Sequence, residues 1–300
     1  MKTFSFLNQT KARPHFILTA KNLKIPLGEQ TKIMGIVNIT PDSFSHDGLI
    51  KNRKTDYHDA AFRYAQKLIR EGADIIDLGG ESSRPGSNPV NAPEELKRII
   101  PTLKRLTKTN RVPISVDTYK PLVAKNALEA GASIINNIRG TQIDKSLLKM
   151  ICDYKAAIVL MHMRGTPQTM QKNITYKNLV REITKELKKS IEICLEIGIK
   201  SDRIIIDPGI GFGKTAEQNL EIINCLDVFQ TLNQPILIGT SRKSFIGKIL
   251  KQEVHERLMG TAATVCNSIL HGAHIVRIHD VGKLKNLIRM SDAIRNMKVE

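Results

Sequence analysis

The chain has 300 residues, 41% of them apolar, which is enough for one large domain with a substantial core and too many for disorder. Its net charge of +17 points to an anionic partner, but aromatic residues are only 4% and Trp is absent, which argues against a nucleic-acid stacking platform. Met1–Leu18 lacks the apolar core of a secretory signal and no apolar run is long enough to span a bilayer, so a cytoplasmic, soluble protein is expected.

Residues 1–31 read as an N-terminal extension that covers one end of a domain comprising 32–300. The first strand candidate, Lys32–Thr40, carries Asn38 one step from its end, where an asparagine is either a turn former or a group facing a ligand. Ala73–Gly80 is the second strand and runs into G-G-E-S-S-R-P-G. Leu96, Ile99, Ile100, Leu103 and Leu106 then form a helical stripe, in which Pro101 predicts a kink. Val112–Thr118 ends near Asp117, Ala132–Ile138 near Asn136, and Ala156–His162 in M-H-M.

Leu179, Ile183, Leu187, Ile191 and Leu195 repeat every fourth residue along a predicted helix 178–197, with Gly198 as its stop. Lys185, Lys188 and Lys189 lie off that stripe, so most of the positive charge reads as solvated helix face. Arg203–Gly209 is the sixth strand and contains Asp207. The string G-I-G-F-G-K-T (209–215) imitates a P-loop, but Pro208 stands where its first glycine is required. It reads instead as a flexible loop over the site, with Phe212 as a stacking ring. Gln234–Thr240 gives way to G-T-S-R-K-S, and Ala273–Asp280 carries Arg277 and His279 on one face. Cys152, Cys194, Cys225 and Cys266 lie too far apart for a zinc site or a disulfide framework and are expected to be buried free thiols.

The strands are rich in Ile and Val on both faces, as buried parallel strands are. G-A-D-I-I (72–76), G-A-S-I-I (131–135) and G-A-H-I-V (272–276) each join a helix end to a strand start, an internal echo of a βα unit. Eight strands alternating with helices predict an α/β fold, a single (β/α)8 TIM barrel. A doubly wound sheet needs fewer strands and a switch point that is not visible.

Chemistry in such barrels sits at the C-terminal ends of the strands. Here those ends offer Asp117, Asn136 and Asp207, which suit a flat nitrogenous ring with several N–H donors. Lys243 can bond a ring carbonyl or nitrogen. Arg277 and His279, with Arg84, form a cationic set suited to phosphate oxygens. Taken singly, Asp207 could equally cap a helix and His279 could be a satisfied core histidine.

With these motifs in order, the sequence resembles the dihydropteroate synthase family, the pterin-binding enzymes of folate biosynthesis. The matching stretches are M-G-I-V-N-I-T-P-D-S-F-S (34–45), D-L-G-G-E-S-S-R-P-G (77–86), I-S-V-D-T (114–118), I-I-N-N (134–137), M-H-M-R-G-T-P-Q-T-M-Q (161–171), D-P-G-I-G-F-G-K (207–214), G-T-S-R-K-S (239–244), E-R-L-M-G-T (256–261) and I-V-R-I-H-D-V (275–281). The resemblance implies a transferase that condenses 6-hydroxymethyl-7,8-dihydropterin diphosphate with 4-aminobenzoate to dihydropteroate and pyrophosphate. It further implies Mg2+ as cofactor, a homodimer, small-molecule substrates, and inhibition by sulfonamide-type mimics of the aminobenzoate.

Carried over by motif, Asp117, Asn136, Asp207, Gly239 and Lys243 would hold the pterin, with Met161 and Phe212 walling it, and Asp117, Asp207 and Lys243 would serve catalysis. Asn38, Ser83, Arg277 and His279 would serve the diphosphate, Asn38 as the metal ligand. Phe44, Ser83, Arg84, Pro85, Phe212, Ser241 and Lys243 would shape the aminobenzoate site, with loops 41–50 and 81–90 closing over it. Ser83 replaces the family's usual threonine and Asn137 its usual aspartate. The rival readings are a methyltetrahydrofolate-dependent methyltransferase, which needs neither a diphosphate nor an aminobenzoate site, and a basic RNA-binding protein, which would bind RNA with strong salt dependence.

Overall fold

The structure is a computed structural model and describes residues 13–40, 56–82 and 86–297. Phe44, Ser83, Arg84 and Pro85 therefore lie outside the described residues. Each of the eight β-branched runs forms a parallel strand: β3 (Lys32–Asn38), β4 (Ile75–Gly79), β5 (Ile114–Asp117), β6 (Ile134–Asn137), β7 (Ala157–Met161), β8 (Ile204–Asp207), β9 (Leu237–Ile238) and β10 (Ile275–Ile278). Their order is β8-β7-β6-β5-β4-β3-β10-β9, and a parallel bridge between Ile206 and Ile236 joins the two ends into a barrel.

The helices lie between successive strands: α1 (Tyr57–Glu71), α2 (Ala92–Thr109), α3 (Pro121–Glu129), α4 (Lys145–Asp153), α5 (Leu179–Ile197), α6 (Ala216–Asn224), then α7 (Ser244–Leu250) and α8 (Leu258–Leu270) in one crossover, and α9 (Val281–Asn296). On α5 the predicted stripe is buried from Leu179 to Ile191, but Leu195 is exposed and Cys194 takes the buried position in the last turn, because a 3.6-residue repeat drifts off a strict fourfold spacing. Asn178 caps the start through its side chain, and Gly198 ends the helix at φ 101°. Helix α2 continues through Pro101. Among the described residues no helix is long and apolar enough to cross a membrane. Of the four free cysteines only Cys194 is buried, on the inner face of α5; Cys152, Cys225 and Cys266 are half-buried.

Two apolar layers result. Outward-facing strand residues such as Ile76, Leu78, Val116, Ile135, Ile158 and Ile206 pack against the helices in one continuous core. Inward-facing Met34, Ile75, Ile134, Val159, Ile205, Leu237 and Ile275 fill the barrel and cluster with Leu18, Ala20, Ile25 and Leu27. These last four belong to an antiparallel hairpin, β1 (Phe16–Ala20) and β2 (Leu23–Leu27), at the N-terminal ends of the barrel strands. Arg13 ties this end together, donating to Thr31 Oγ1 at 2.7 Å, the Ala273 carbonyl at 2.6 Å and Asp292 Oδ1 at 3.0 Å.

Candidate active site

Side chains alternate in and out along a strand, so the residue two beyond an inward apolar position also faces inward, one layer nearer the C-terminal rim. That rule converts the barrel filling into a polar ring. Ile75 is followed by Asp77, Ile134 by Asn136, Ile205 by Asp207, and Ile275 by Arg277 and then His279. Ser115 is likewise followed by Asp117 and Val159 by Met161. In β3 the same alternation carries Met34 through Ile36 to Asn38.

The centre of the ring is a hydrogen-bonded cluster. Arg277 donates through Nε to Asp77 Oδ2 at 2.6 Å and through Nη2 to Asp117 Oδ2 at 3.0 Å. Asn136 Nδ2 donates to the same Asp77 oxygen at 3.1 Å. Asp77 Oδ1 is buried without a hydrogen-bond partner among the described residues. Burial opposes the charge on Arg277, but Asp77 and Asp117 more than offset it and hold its pKa above the ordinary value. Burial pushes the Asp117 carboxyl well up, against the pull of Arg277, with Asp77 and Glu95 adding to the rise. Arg277 is thus committed to two carboxylates rather than standing as a lone cation at the rim. Two buried acids this close require a counter-charge, and the guanidinium fork supplies it.

Asp207, at the end of β8, accepts the Gly209 N–H at 2.7 Å, and burial raises its pKa to about 6 with Lys243 among the opposing charges. The glycine loop that follows is pinned rather than free. Gly211 N–H donates to Asn219 Oδ1 at 2.6 Å, Gln171 Nε2 to the Gly211 carbonyl at 3.0 Å, and Tyr176 OH to the Gly213 carbonyl at 3.0 Å. Gly209, Gly211 and Gly213 all have φ between 66° and 82°, a turn open to residues without a Cβ. The Gly211 and Gly213 carbonyls are each met by a neighbouring side chain, which ties the turn expected to be flexible to the segment after β7.

Phe212 is brought inside by this turn, into an apolar cluster with Ile138, Met161, Met163 and Met170. Lys243 Nζ sits 4.1 Å from the Phe212 ring centroid. Gly239 faces Arg277, whose Cβ would be 3.7 Å from a Cβ added there. Ser241 Oγ lies 3.0 Å from His279 Nδ1 and accepts the His279 backbone N–H at 3.2 Å. Arg242 makes a bidentate pair with Asp280, at 3.0 and 2.8 Å, and so joins the loop after β9 to the end of β10.

The ring also bears on the metal that the sequence implies. Among the described residues no three His, Cys, Asp or Glu side chains form a cage for an ion. Asn38 Oδ1 instead borders Gly79, whose added Cβ would stand 3.3 Å from that oxygen and 3.7 Å from Asp117 Cβ. A neutral amide oxygen at a strand end suits Mg2+, which keeps several waters and takes its remaining ligands from substrate phosphates.

The structure therefore brings Asp117, Asn136, Met161, Asp207, Phe212, Gly239, Ser241, Lys243, Arg277 and His279 to one end of the barrel, with Asn38 on the neighbouring strand end. Asp77, the hub of the central cluster, went unassigned from sequence. It sits between Ile76 and Leu78 in mid-strand, below the strand ends where barrel chemistry is expected. Its signal was a charged residue in an otherwise apolar buried strand, which requires a partner.

The family described as pterin binding enzyme matches residues 34–279 of the chain. Dihydropteroate synthase of Bacillus subtilis (strain 168) is 44% identical over 280 residues, covering 93% of this chain and 94% of that protein. Among solved structures, the dihydropteroate synthase of Clostridium difficile in the presence of pteroic acid superposes with a TM-score of 0.82 at 43% identity, covering 89% and 98% of the two chains. That of Xanthomonas albilineans with 4-aminobenzoic acid gives 0.85 at 34% identity, covering 96% of this chain and 100% of the other. A barrel with a buried acid–amide–arginine ring at its mouth, matched over nearly its whole length by such relatives, belongs to the pterin-binding enzymes and, within them, to the dihydropteroate synthases of folate biosynthesis.

Proposed function

We propose that the chain joins 6-hydroxymethyl-7,8-dihydropterin diphosphate to 4-aminobenzoate, with the residues of the rim in the following roles. Asp117, Asn136 and Asp207 meet the donors of the pterin's amino-pyrimidinone edge. Lys243 approaches from the rim side, and Met161 and Phe212 wall the ring. The observation that carries this reading is the hydrogen-bonded set at the mouth, Asp77, Asn136 and Asp207 buried and Asp117 and Arg277 half-buried, a donor–acceptor surface in an otherwise apolar barrel core. Burial makes each of these groups costly unless a ligand completes its hydrogen bonds.

His279, and Arg277 with the guanidinium nitrogen left over from its two carboxylate bonds, face the diphosphate, and Asn38 would hold Mg2+. When bound, the ion offsets charge on the departing pyrophosphate. Asp117 and Asp207 supply negative field to the pterin methylene carbon as its C–O bond breaks. The amine of 4-aminobenzoate then forms the C–N bond and releases one proton. Ser241 and Lys243 line the approach of that second substrate, with Phe44, Ser83, Arg84 and Pro85 assigned to it by motif. The chain is read as a cytoplasmic enzyme acting on small molecules.

A homodimer completes the proposal. Leu220 of α6, Ile249 and Leu250 of α7, Met259 of α8, and Met290 and Ile294 of α9 are exposed apolar side chains on helices that pack against one another. Such a surface supports an interface with a second copy. The decisive assay mixes the folded protein with Mg2+, the pterin diphosphate and 4-aminobenzoate. Pyrophosphate and dihydropteroate should appear in equal amounts; folded protein that yields neither refutes the proposal.

A further inference from the structure

The string that imitates a P-loop turns its lysine inward, away from any position where it could meet a phosphate. Lys214 is 2% exposed. Its Nζ has three acceptors within reach: Phe212 O at 2.9 Å, His162 Nδ1 at 3.0 Å and His162 O at 3.4 Å. An ammonium has three N–H groups, so the cradle matches the protonated amine donor for donor. No carboxylate is among these partners, which separates Lys214 from an ordinary structural ion pair.

Both residues the cradle touches adjoin the pterin pocket. Phe212 O is the carbonyl of the ring-bearing residue that walls the site and packs under Lys243. The His162 backbone N–H donates to the Asp207 carbonyl at 2.9 Å. A Cβ at Gly209 would overlap the His162 carbonyl, so the loop and the end of β7 are in closest contact here.

Behind the lysine stands a chain of groups that leads to the surface. Burial lowers the His162 pKa to about 4, with Lys214 adding to the effect, so the imidazole is neutral at neutral pH. With Nδ1 facing an ammonium, its lone pair must lie there and its proton on Nε2, which lies 3.2 Å from Glu186 Oε2, near enough for electrostatic attraction but out of line for a hydrogen bond. The contact with His162 and the Arg164 guanidinium hold Glu186 down to about 2, against partial burial. Arg164 Nη2 reaches Glu186 Oε1 at 2.5 Å and Glu182 Oε2 at 2.8 Å, and its guanidinium covers the Tyr176 ring.

We propose that Lys214 is a positioning residue whose buried ammonium latches the 209–213 turn and so sets the Phe212 wall of the pterin pocket, with Glu186 and the His162 tautomer determining how firmly it holds. The inference rests on the pterin reading of the site. A neutral amine has one fewer donor and no charge to satisfy, so the latch weakens when Lys214 loses its proton. Burial places that event near neutrality, lowering the Lys214 pKa to about 7 while Asp207 and Glu186 oppose and Arg164 and Lys243 reinforce the drop. The latch is therefore closed below that value and loosens as pH rises through it.

The test is the affinity of the full-length protein for 6-hydroxymethylpterin between about pH 6 and pH 9, read by calorimetry for the unaltered protein, Lys214→Met and Glu186→Gln. Lys214→Met should bind about tenfold more weakly at the acid end and converge on the unaltered protein at the alkaline end. Glu186→Gln removes a charge that favours the ammonium, so the alkaline fall in affinity should move to lower pH. Because Glu186 is partly exposed, that variant tests the inference even if Lys214→Met does not fold. A loss in Lys214→Met that is the same at every pH, or an unmoved profile in Glu186→Gln, would overturn the latch. Failure of the unaltered protein to bind the pterin would instead overturn the site reading beneath it.

Discussion

Asp207 shows how a single residue carries opposite consequences for folding and for binding. In the unfolded chain its carboxyl ionises near its ordinary value of 3.8, whereas burial raises it to about 6 in the folded protein. Between those values the folded state holds the extra proton. Its contribution to stability therefore falls as pH rises from about 4 to about 6 and stays low above that. A pterin edge rich in donors needs the carboxylate, so affinity should rise through the upper part of the same window. Asp207→Asn should melt a few degrees higher than the unaltered protein at alkaline pH and lose the acid limb of pterin binding, with affinity down about tenfold or more. Differential scanning calorimetry and pterin titration check the two halves. A variant that binds pterin with full affinity would remove Asp207 from the site.

At the scale of elements, the barrel is uneven around its circumference. Strands β3 and β4 share a five-residue register, whereas β8 and the chain entering β9 share one bridge and the Ile206 N–H to Pro235 carbonyl bond at 3.0 Å. The reason lies in Q-P-I-L-I-G-T. Pro235 has no N–H to give the ladder, and the Ile236 N–H is diverted to His274 Nδ1 at 3.1 Å. Burial lowers the His274 pKa to about 3, so its ring stays neutral and can accept there while Nε2 faces the Pro14 carbonyl. Hydrogen exchange should accordingly find the amides of Ile206, Leu237 and Ile238 less protected than those of Ile76 and Val116. Uniform protection around the barrel would contradict this.

The same comparison marks what could be read from the sequence. Runs of Ile and Val located all eight barrel strands, because a strand buried on both faces needs them. Gln234–Thr240 shrank to two residues because a proline and a histidine side chain compete for its ladder, a tertiary effect invisible in the run itself. The β1–β2 hairpin was not anticipated, since its five-residue strands carry exposed Lys24 and Pro26 between their buried positions. The rim residues were legible wherever they ended a strand. Asp77 and Lys214 were not: one is hidden inside an apolar strand, the other inside a motif that imitates a different chemistry.

For the whole molecule, the exposed apolar face on α6–α9 is the feature that most constrains its state in solution. Met259 is 74% exposed and Ile294 58%, far above what a helix face needs for packing against its own barrel. Analytical ultracentrifugation should find a dimer at micromolar concentration. Met259→Glu combined with Ile294→Glu should yield a monomer with unchanged far-UV dichroism, because neither side chain belongs to the core. A dimer that survives both changes would place the interface elsewhere.

The layering of each strand has one more consequence. Apolar filler and ligand-facing group are separated by two residues, the same interval that returns a side chain to the same face of the sheet. A strand that slipped by two positions would keep its inward and outward faces and could keep much of its burial, yet Asn136 or Arg277 would leave the plane of Asp77. Such a molecule would be folded by spectroscopic criteria and blank at its mouth. The polar ring is thus a vernier on the barrel, aligned only in the one assembly where all eight strands sit at their proper height.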